Sequence, residues 1–420
     1  MLKSEAVMAS TLRWLCYVKM NRLYPAGIPD PVRERFDTEW QRMLAYGKTE
    51  EFYVFYALAE EAARLGLPFN LRGSGNASLL VYLLNDSAVD PMPAYRYCRH
   101  CGHYEEIPDA TYGLDAEETD CPCCGEKMCA LGFSLPIEVA WPEGKGIDLS
   151  EYSTMLNEPS VFFILKRIYG KRVVPMAEQV LDEQDRPKLT LTWSKHFVIF
   201  PEGKMLADYP ELMVACEGRQ AVFAPLEELY RLGLLTMLFT AWRGYPVGGN
   251  PAQTMRGMFP MPSLIGRLRD KVGPQSLLAP SEALYWHGSQ KVRWAVQAIQ
   301  PGALPSSYYE LTEIICRKRS SWVNPYAPGD RPEFSSREAL FKLLCSEGLE
   351  KRDALALTVF IRKGKAAEQK YREEWLKLLE RYPVLEKYRE DAENCRYLWT
   401  QAAVLPTVMD AIACAGRKTI

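Results

Sequence analysis

Two Cys-x-x-Cys-Gly turns, Cys98/Cys101 and Cys121/Cys124, offer four thiolates at a separation within the range of a zinc site. Gly102 and Gly125 relieve the backbone where each turn curls toward a metal. Tetrahedral Zn2+ with four sulfur ligands has no open position, so this chemistry is structural. Upstream stands a Gly/Ser-rich turn, Leu71-Arg-Gly-Ser-Gly-Asn-Ala-Ser78, of the kind that points backbone N–H groups at a phosphate where a helix begins. Downstream, a lone carboxylate, Asp148, sits in Gly146-Ile-Asp-Leu149. Two-metal transfer of a phosphoryl group needs paired carboxylates to clamp the attacking and leaving oxygens. On a strand, alternate residues share a face, and the neighbours of Asp148 on that face are Gly146 and Ser150. Glycine offers no ligand, and a serine is a poor one for magnesium.

The elements that must position these groups follow from capping and periodicity. Asp30-Pro31 starts a helix that should stop near Gly47, and Thr49 opens a second, Glu50–Leu65, ended by Gly66 and Pro68. The apolar run 67–71 then leads through the Gly/Ser turn into a helical run, Ala77–Leu84. Residues 95–130 are rich in turn formers and poor in periodic apolar pattern, so something other than a hydrophobic core must hold them, and a metal on the four cysteines is favoured over unliganded thiols on a loop. From 131 to 245, strand-like runs (Lys188–Trp193, Phe197–Phe200, Ala221–Ala224) alternate with a helix near Val161–Tyr169, an α+β pattern. A Gly/Pro-rich linker, Gly244–Pro251, precedes a helical remainder in which Ser335-Ser-Arg-Glu338 forms a capping box.

Composition narrows the function classes. At 420 residues, with 48% hydrophobic and 25% charged residues, the chain reads as folded and multi-domain. A net charge of −2 from 51 basic and 53 acidic residues excludes a protein that coats nucleic acid by bulk charge, though not a local basic groove. Neither a signal peptide nor a membrane span is expected, and twelve cysteines without a secretory signal imply thiols in a reducing cytoplasm. Cys123 is an alternative zinc ligand, and Cys129, His100 and His103 are weaker ones. Cys16, Cys216, Cys316, Cys345, Cys395 and Cys414 read as buried small hydrophobes, with no base spaced to activate them. His196 and His287 read as structural, and Trp242, Met255, Met258 and Met261 as packing. Taken alone, Arg362, Lys363 and Lys365 are a solvated helix C-terminus.

With these motifs together, the chain resembles the palm and fingers of PolC-type DNA polymerase III alpha subunits, the bacterial C-family replicative polymerases. The resemblance runs through the helices Asp30–Gly47 and Glu50–Leu65, Arg72-Gly-Ser-Gly-Asn-Ala-Ser-Leu-Leu-Val-Tyr82, Asp90-Pro-Met-Pro-Ala-Tyr-Arg-Tyr-Cys98, both cysteine turns, Gly132-Phe-Ser-Leu-Pro-Ile-Glu138 and Ile147-Asp-Leu149. Further on it includes Glu347-Gly-Leu-Glu350 and Phe360-Ile-Arg-Lys-Gly-Lys365. The last match is Tyr397-Leu-Trp-Thr-Gln-Ala-Ala403, where family members carry Phe-Pro-Lys-Ala-His. It implies a Pol β-like nucleotidyltransferase palm with a zinc insert at 95–130 and an all-helical fingers-like domain. The implied divisions are 1–48 (thumb-like), 49–245 (palm-like) and 246–420 (fingers-like). It also implies phosphate contacts at Arg72, Gly73, Ser74, Arg362, Lys363 and Lys365, structural Zn2+ on Cys98, Cys101, Cys121 and Cys124, and DNA or a replisome protein as partner.

Against that family the catalytic pattern fails. Of the Asp-x-Asp pair only Asp148 remains, with Gly146 in the first place. The third aspartate, on a Leu-Asp-Ile-Leu-Gly strand, falls at Gly233 if Leu229–Leu235 is that strand, whereas a shifted register recruits Glu227 or Glu228. The Ala-Gly-Thr-Ile-Gly-Thr loop becomes Ala177-Glu-Gln-Val-Leu-Asp182, and His-Pro-Gly-Gly becomes His196-Phe-Val-Ile-Phe-Pro201. The expectation is a pseudo-polymerase that binds DNA or a replication partner, with Mg2+ required only if activity survives. The rivals are an active nucleotidyltransferase using Glu151 or Glu228, and a structural subunit without affinity for DNA.

Overall fold

The computed structural model describes residues 4–67, 69–85, 89–191, 196–241, 305–326 and 331–416. The linker Gly244–Pro251 and Trp242, Met255, Met258, Met261 and His287 lie outside the described residues.

Three helices, α1 (Glu5–Leu23), α2 (Asp30–Ala45) and α3 (Thr49–Arg64), bury Leu12, Phe36, Phe52 and Phe55 in the main core. Helix α2 starts at Asp30 with proline in its first turn, and Gly66, at φ +65°, follows α3. The chain then enters β1 (Phe69–Leu71), a 3-10 turn (Gly73–Ala77) and the wholly buried α4 (Leu79–Leu84). The glycine-rich segment is thus a turn of its own, and α4 starts two residues later than the expected helical run. Strands β2 (Tyr95–Tyr97), β3 (Tyr104–Glu106) and β4 (Cys129–Leu131) form an antiparallel sheet in the order β3-β2-β4, followed by α5 (Ile137–Ala140).

The central sheet has the order β1-β5-β12-β9-β6, where β5 is Glu151–Thr154, β6 Val173–Pro175, β9 His196–Ile199 and β12 Leu235–Ala241. Only β5 and β12 run parallel, with Leu238 opposite Glu151. Helix α6 (Glu158–Tyr169) covers this sheet through Val161 and Leu165. Two hairpins, β7 (Ala177–Leu181) with β8 (Pro187–Leu191) and β10 (Met213–Cys216) with β11 (Arg219–Val222), extend from it. The chain is a mixed α and β fold. Among the described residues, no helix is long and apolar enough to cross a membrane.

One strand assignment from the sequence is corrected. Residues 226–231 form a helix, α7 (Leu226–Arg231), because Pro225 precedes it and Glu228 pairs with Arg231 at 2.5 Å one turn on. Gly233, at φ +70°, makes the bend, and the strand starts only at Leu235. Gly233 therefore precedes the strand, and Glu227 and Glu228 sit on a helix beside it.

Beyond residue 305 come α8 (Tyr308–Arg319), β13 (Ser321–Trp322), α9 (Arg337–Ser346), α10 (Lys351–Arg362), α11 (Arg372–Arg381), α12 (Arg389–Asn394), β14 (Cys395–Tyr397) and α13 (Gln401–Gly416). Helices α8 and α13 share the main core with the N-terminal helices through Leu311, Ile315, Val404 and Leu405. Helices α9 to α12 surround their own core, centred on Trp375, Leu340 and Leu357. The paired strands β13 and β14 add a small sheet to this otherwise helical part. They bring the segment after β14 against the end of α8, where the Trp399 N–H donates to Ser320 Oγ at 3.0 Å.

Candidate functional site: a basic cleft beside a four-cysteine lobe

The four sulfurs of Cys98, Cys101, Cys121 and Cys124 lie within 4.8 Å of one another, with Cys98 to Cys124 and Cys101 to Cys121 at 3.5 Å. A tetrahedron with Zn–S bonds of about 2.3 Å spaces its sulfurs at about 3.8 Å, so the donor set fits zinc. Hydrogen bonds from backbone N–H groups, that of Cys101 first, bring the Cys98 thiol down to about 6, while the thiols of Cys101 and Cys124 are raised. Cys123 is outside this group and faces His103 Nδ1 at 3.5 Å. Gly102, at φ +79°, lies where a Cβ would come 2.8 Å from the Ala26 carbonyl oxygen, so the first cysteine turn is seated on the α1–α2 connection.

The second site is a cleft of about 1340 Å³ between the central sheet and the C-terminal helices. It gathers Arg72, Gly73, Ser74 and Asp148 with Arg362, as the sequence motifs imply, and adds Lys48, Lys145, Arg319, Arg337, Tyr230, Tyr397 and Trp399. Lys363 and Lys365 do not line it. Lys365 Nζ instead sits over the rings of Tyr371 and Phe360, at 4.6 and 5.3 Å. Gly364, at φ +72°, packs so closely on β14 that a Cβ would lie 2.4 Å from the Arg396 carbonyl oxygen.

The glycine-rich turn meets Asp148 directly: a Cβ on Gly75 would stand 3.0 Å from the Asp148 carbonyl oxygen. The anion cradle expected at the start of α4 is, however, filled from within. Glu39 of α2, fully buried, accepts from the N–H groups of Leu79 and Leu80 at 3.0 and 3.3 Å and from the Ser78 hydroxyl. Trp141 Nε1 also donates to it, at 3.1 Å, and Arg35 pairs with it at 2.6 Å. The helix-terminal donors that could hold a phosphate serve the protein's own carboxylate.

Each carboxylate in the cleft also has a neighbour within the chain, although Asp148 and Glu151 are exposed. Asp148 accepts from Ser150 N at 2.9 Å and Ser150 Oγ at 2.5 Å. Glu51 pairs with Lys48 at 2.8 Å, and burial raises its carboxyl above the usual range despite that lysine. Glu151 reaches Arg72 at 3.6 Å. Asp148 lies in the loop before β5, not on the strand, and β12 brings only Thr236 and Thr240 as polar side chains to the cleft. Among the described residues, the four cysteines are the only group of three or more His, Cys, Asp or Glu placed to share a metal. The residues present do not fit a paired Mg2+ site.

Gly146 sits in a backbone conformation that disfavours a carboxylate side chain in its place. It has φ +67°, and a Cβ there would meet the Tyr46 ring at 3.0 Å, while Tyr46 Oη accepts from Gly144 N at 3.1 Å. A side chain in this left-handed conformation costs about 1–2 kcal/mol. Gly146→Asp is accordingly expected to lower the urea unfolding free energy by that amount without conferring primer extension. Extension by the variant would show that the missing carboxylate was the whole defect.

The cations repel one another. Burial, and then Arg337, bring the Arg362 guanidinium down to about 10, and Lys145 is the main influence lowering the Lys363 ammonium. Sequence reasoning missed Arg319, Arg337, Trp399 and Glu39 as site residues. Arg337 was visible only as part of a capping box and Trp399 only inside a degenerate motif. Nothing in the sequence around Glu39 marks it apart from an arginine four residues before it.

Comparison with known proteins agrees with the motifs in the N-terminal part. Residues 10–138 match the family described as bacterial DNA polymerase III alpha NTPase domain. Over 130 residues the chain is 29% identical to a DNA polymerase III PolC-type of Caldanaerobacter subterraneus subsp. tengcongensis, covering 30% of this chain and 9% of that protein. The corresponding protein of Streptococcus suis is 27% identical over 165 residues (38% of this chain, 11% of that protein). That of Streptococcus thermophilus is 26% identical over 176 residues (41% and 12%). The N-terminal part of the chain is therefore a PolC-like segment, and the matched stretch spans about a tenth of these relatives.

Proposed function

We propose that this chain is a catalytically silent polymerase core that binds primer–template DNA in its basic cleft. Residues 1–48 are then a thumb-like segment, 49–245 a Pol β-like nucleotidyltransferase palm carrying the zinc lobe, and 246–420 a fingers-like unit, acting in the cytoplasm with DNA replication as its setting. One observation carries the reading: six cationic side chains face a cleft whose three carboxylates are each tied to a neighbour within the chain. Such a cleft attracts phosphates and does not assemble the two-metal centre that transfers them.

The test is primer extension by the zinc-loaded protein with Mg2+ or Mn2+, run beside Asp148→Ala, together with DNA affinity as a function of salt. No extension is expected, with affinity falling linearly in log–log form as salt rises. Arg72→Ala combined with Arg362→Ala should lower the magnitude of that slope by about 2, one for each phosphate contact removed. Extension that disappears in Asp148→Ala would overturn the inactive assignment. Absence of DNA binding at low salt would leave a replication protein as the partner and remove DNA from the proposal.

A further inference from the structure

Resting on the nucleic-acid reading of the cleft, we infer that its occupant is an unpaired strand. Its bases stack on Tyr397 and Trp399, its phosphates lie on the arginines around them, and no divalent cation takes part. Tyr397 ends β14, and Trp399 follows two residues on. Their rings stand 6.3 Å apart at 82°, and both line the cleft. Each is paired with an arginine: Arg319 lies 4.9 Å from the Trp399 ring and Arg337 5.3 Å from that of Tyr397. Cations interleaved with aromatic rings are how proteins follow a single strand, because the rings stack bases while the cations follow the backbone. A duplex hides its base faces in its own stack and leaves nothing for these rings to cover, except at its ends.

The platform is set before any ligand arrives. The Trp399 carbonyl accepts from the Arg337 N–H at 2.9 Å, and its N–H donates to Ser320. Arg337 itself is 8% exposed and is held by neutral acceptors, the Leu398 carbonyl at 2.8 Å and Tyr397 Oη at 2.6 Å. Its charge is oriented by these contacts and not cancelled. Tyr397 keeps 41% of its surface exposed.

Metal independence follows from the charges. With Glu51 on Lys48 and Glu151 on Arg72, the cleft retains Lys145, Arg337 and Arg362 against Asp148. Phosphates entering it meet guanidinium groups in place of Mg2+. At about 1340 Å³ the cleft exceeds the roughly 300–1,000 Å³ of ordinary small-ligand pockets, so it has room for more than a mononucleotide.

The experiment measures anisotropy of four labelled probes on the full, zinc-loaded chain: a 16-nucleotide mixed-sequence DNA strand, its RNA counterpart, the blunt duplex of that sequence, and a primer–template. Each is run in Mg2+ and in EDTA at matched ionic strength. A single strand bound at least tenfold tighter than the blunt duplex, equally in both buffers, is expected, and the DNA-to-RNA ratio assigns the strand's source. Trp399→Ala should weaken single-strand binding about 5- to 150-fold, the range for one lost base stack. Trp399→Phe should restore most of it, and Trp14→Ala, at an exposed tryptophan on α1, should change nothing. Circular dichroism and thermal melting check that each variant is folded. If Trp399→Ala does not fold, Tyr397→Ala and Arg319→Gln test the same platform and should weaken binding to the single strand. Equal or tighter binding of the blunt duplex, a requirement for Mg2+, or full affinity in folded Trp399→Ala overturns the inference. Primer–template binding without single-strand binding overturns it while leaving the broader nucleic-acid reading in place. Binding of none of the probes removes both.

Discussion

Cys98→Ser is expected to release one zinc per chain and to open residues 98–110 and 116–128 to proteolysis, while Tyr112 and Asp115 stay docked on the main core and the start of α8. Outside that anchor the lobe buries only Cys98, Cys121 and Met128 in a cluster of its own. A cluster of that size cannot offset the conformational entropy of ordering these two stretches, at about 1–2 kcal/mol for the backbone of each residue. Metal binding in small sites of this type supplies on the order of 10 kcal/mol of apparent folding free energy at neutral pH. That is comparable to the whole stability of an ordinary domain. The damage should remain local, because Tyr95 and Tyr97 of β2 anchor the sheet in the main core, where Tyr95 Oη donates to Asp90 at 2.8 Å. Metal content by atomic absorption and cleavage sites by mass spectrometry check both halves. Cys123→Ser should leave both unchanged, since that thiol faces His103 and not the other four sulfurs. Loss of zinc in Cys123→Ser would reassign the ligands.

The cysteine lobe was legible in the sequence because its chemistry is local. Two tight turns fix two ligands each, and only their mutual approach is left to the fold. The α2 and α3 boundaries were equally legible, since Asp30-Pro31 and Gly66 act within one turn of their own position. The strand beside Asp148 was not. Leu229–Leu235 and Leu235–Ala241 are both apolar, and what separates them is Pro225 starting a helix and Gly233 ending it. Apolar periodicity carries no information on which of two adjacent runs pairs with β5. The cleft was half legible. Arg72 and Arg362 came from motifs, but Arg319, Arg337 and Trp399 reach it through the pairing of β13 with β14 and the hydrogen bonds around Ser320. The strand pairing and the Trp399–Ser320 bond join residues more than seventy positions apart, which no window along the chain can register.

Glu39→Ala is expected to cost about 3–5 kcal/mol, because one carboxylate satisfies donors from three segments. Its removal orphans the N–H groups of Leu79 and Leu80, the Ser78 hydroxyl and the Trp141 indole N–H, and it leaves the Arg35 guanidinium, 14% exposed, without its acid. Each orphaned buried donor costs about 1–3 kcal/mol, partly recovered where water enters. Arg35 would still reach the Ala77 carbonyl at 2.9 Å, so the loss is less than the sum. Glu39→Gln keeps an acceptor but turns its amide hydrogens on one donor pair, and it should fall between the wild type and the alanine variant. Urea unfolding measures all three, and a loss below 1 kcal/mol in Glu39→Ala would show that this buried network is not what fixes the glycine-rich turn. The same network bears on function. With the first donors of α4 given to Glu39, the segment that resembles a phosphate cradle contributes Arg72 and the exposed edge of Gly73 and Ser74 to the cleft. Anion affinity there must therefore come from side-chain cations brought by α8, α9 and α10. This predicts that polyanion binding in Glu39→Gln, once corrected for the folded fraction, stays at the wild-type level.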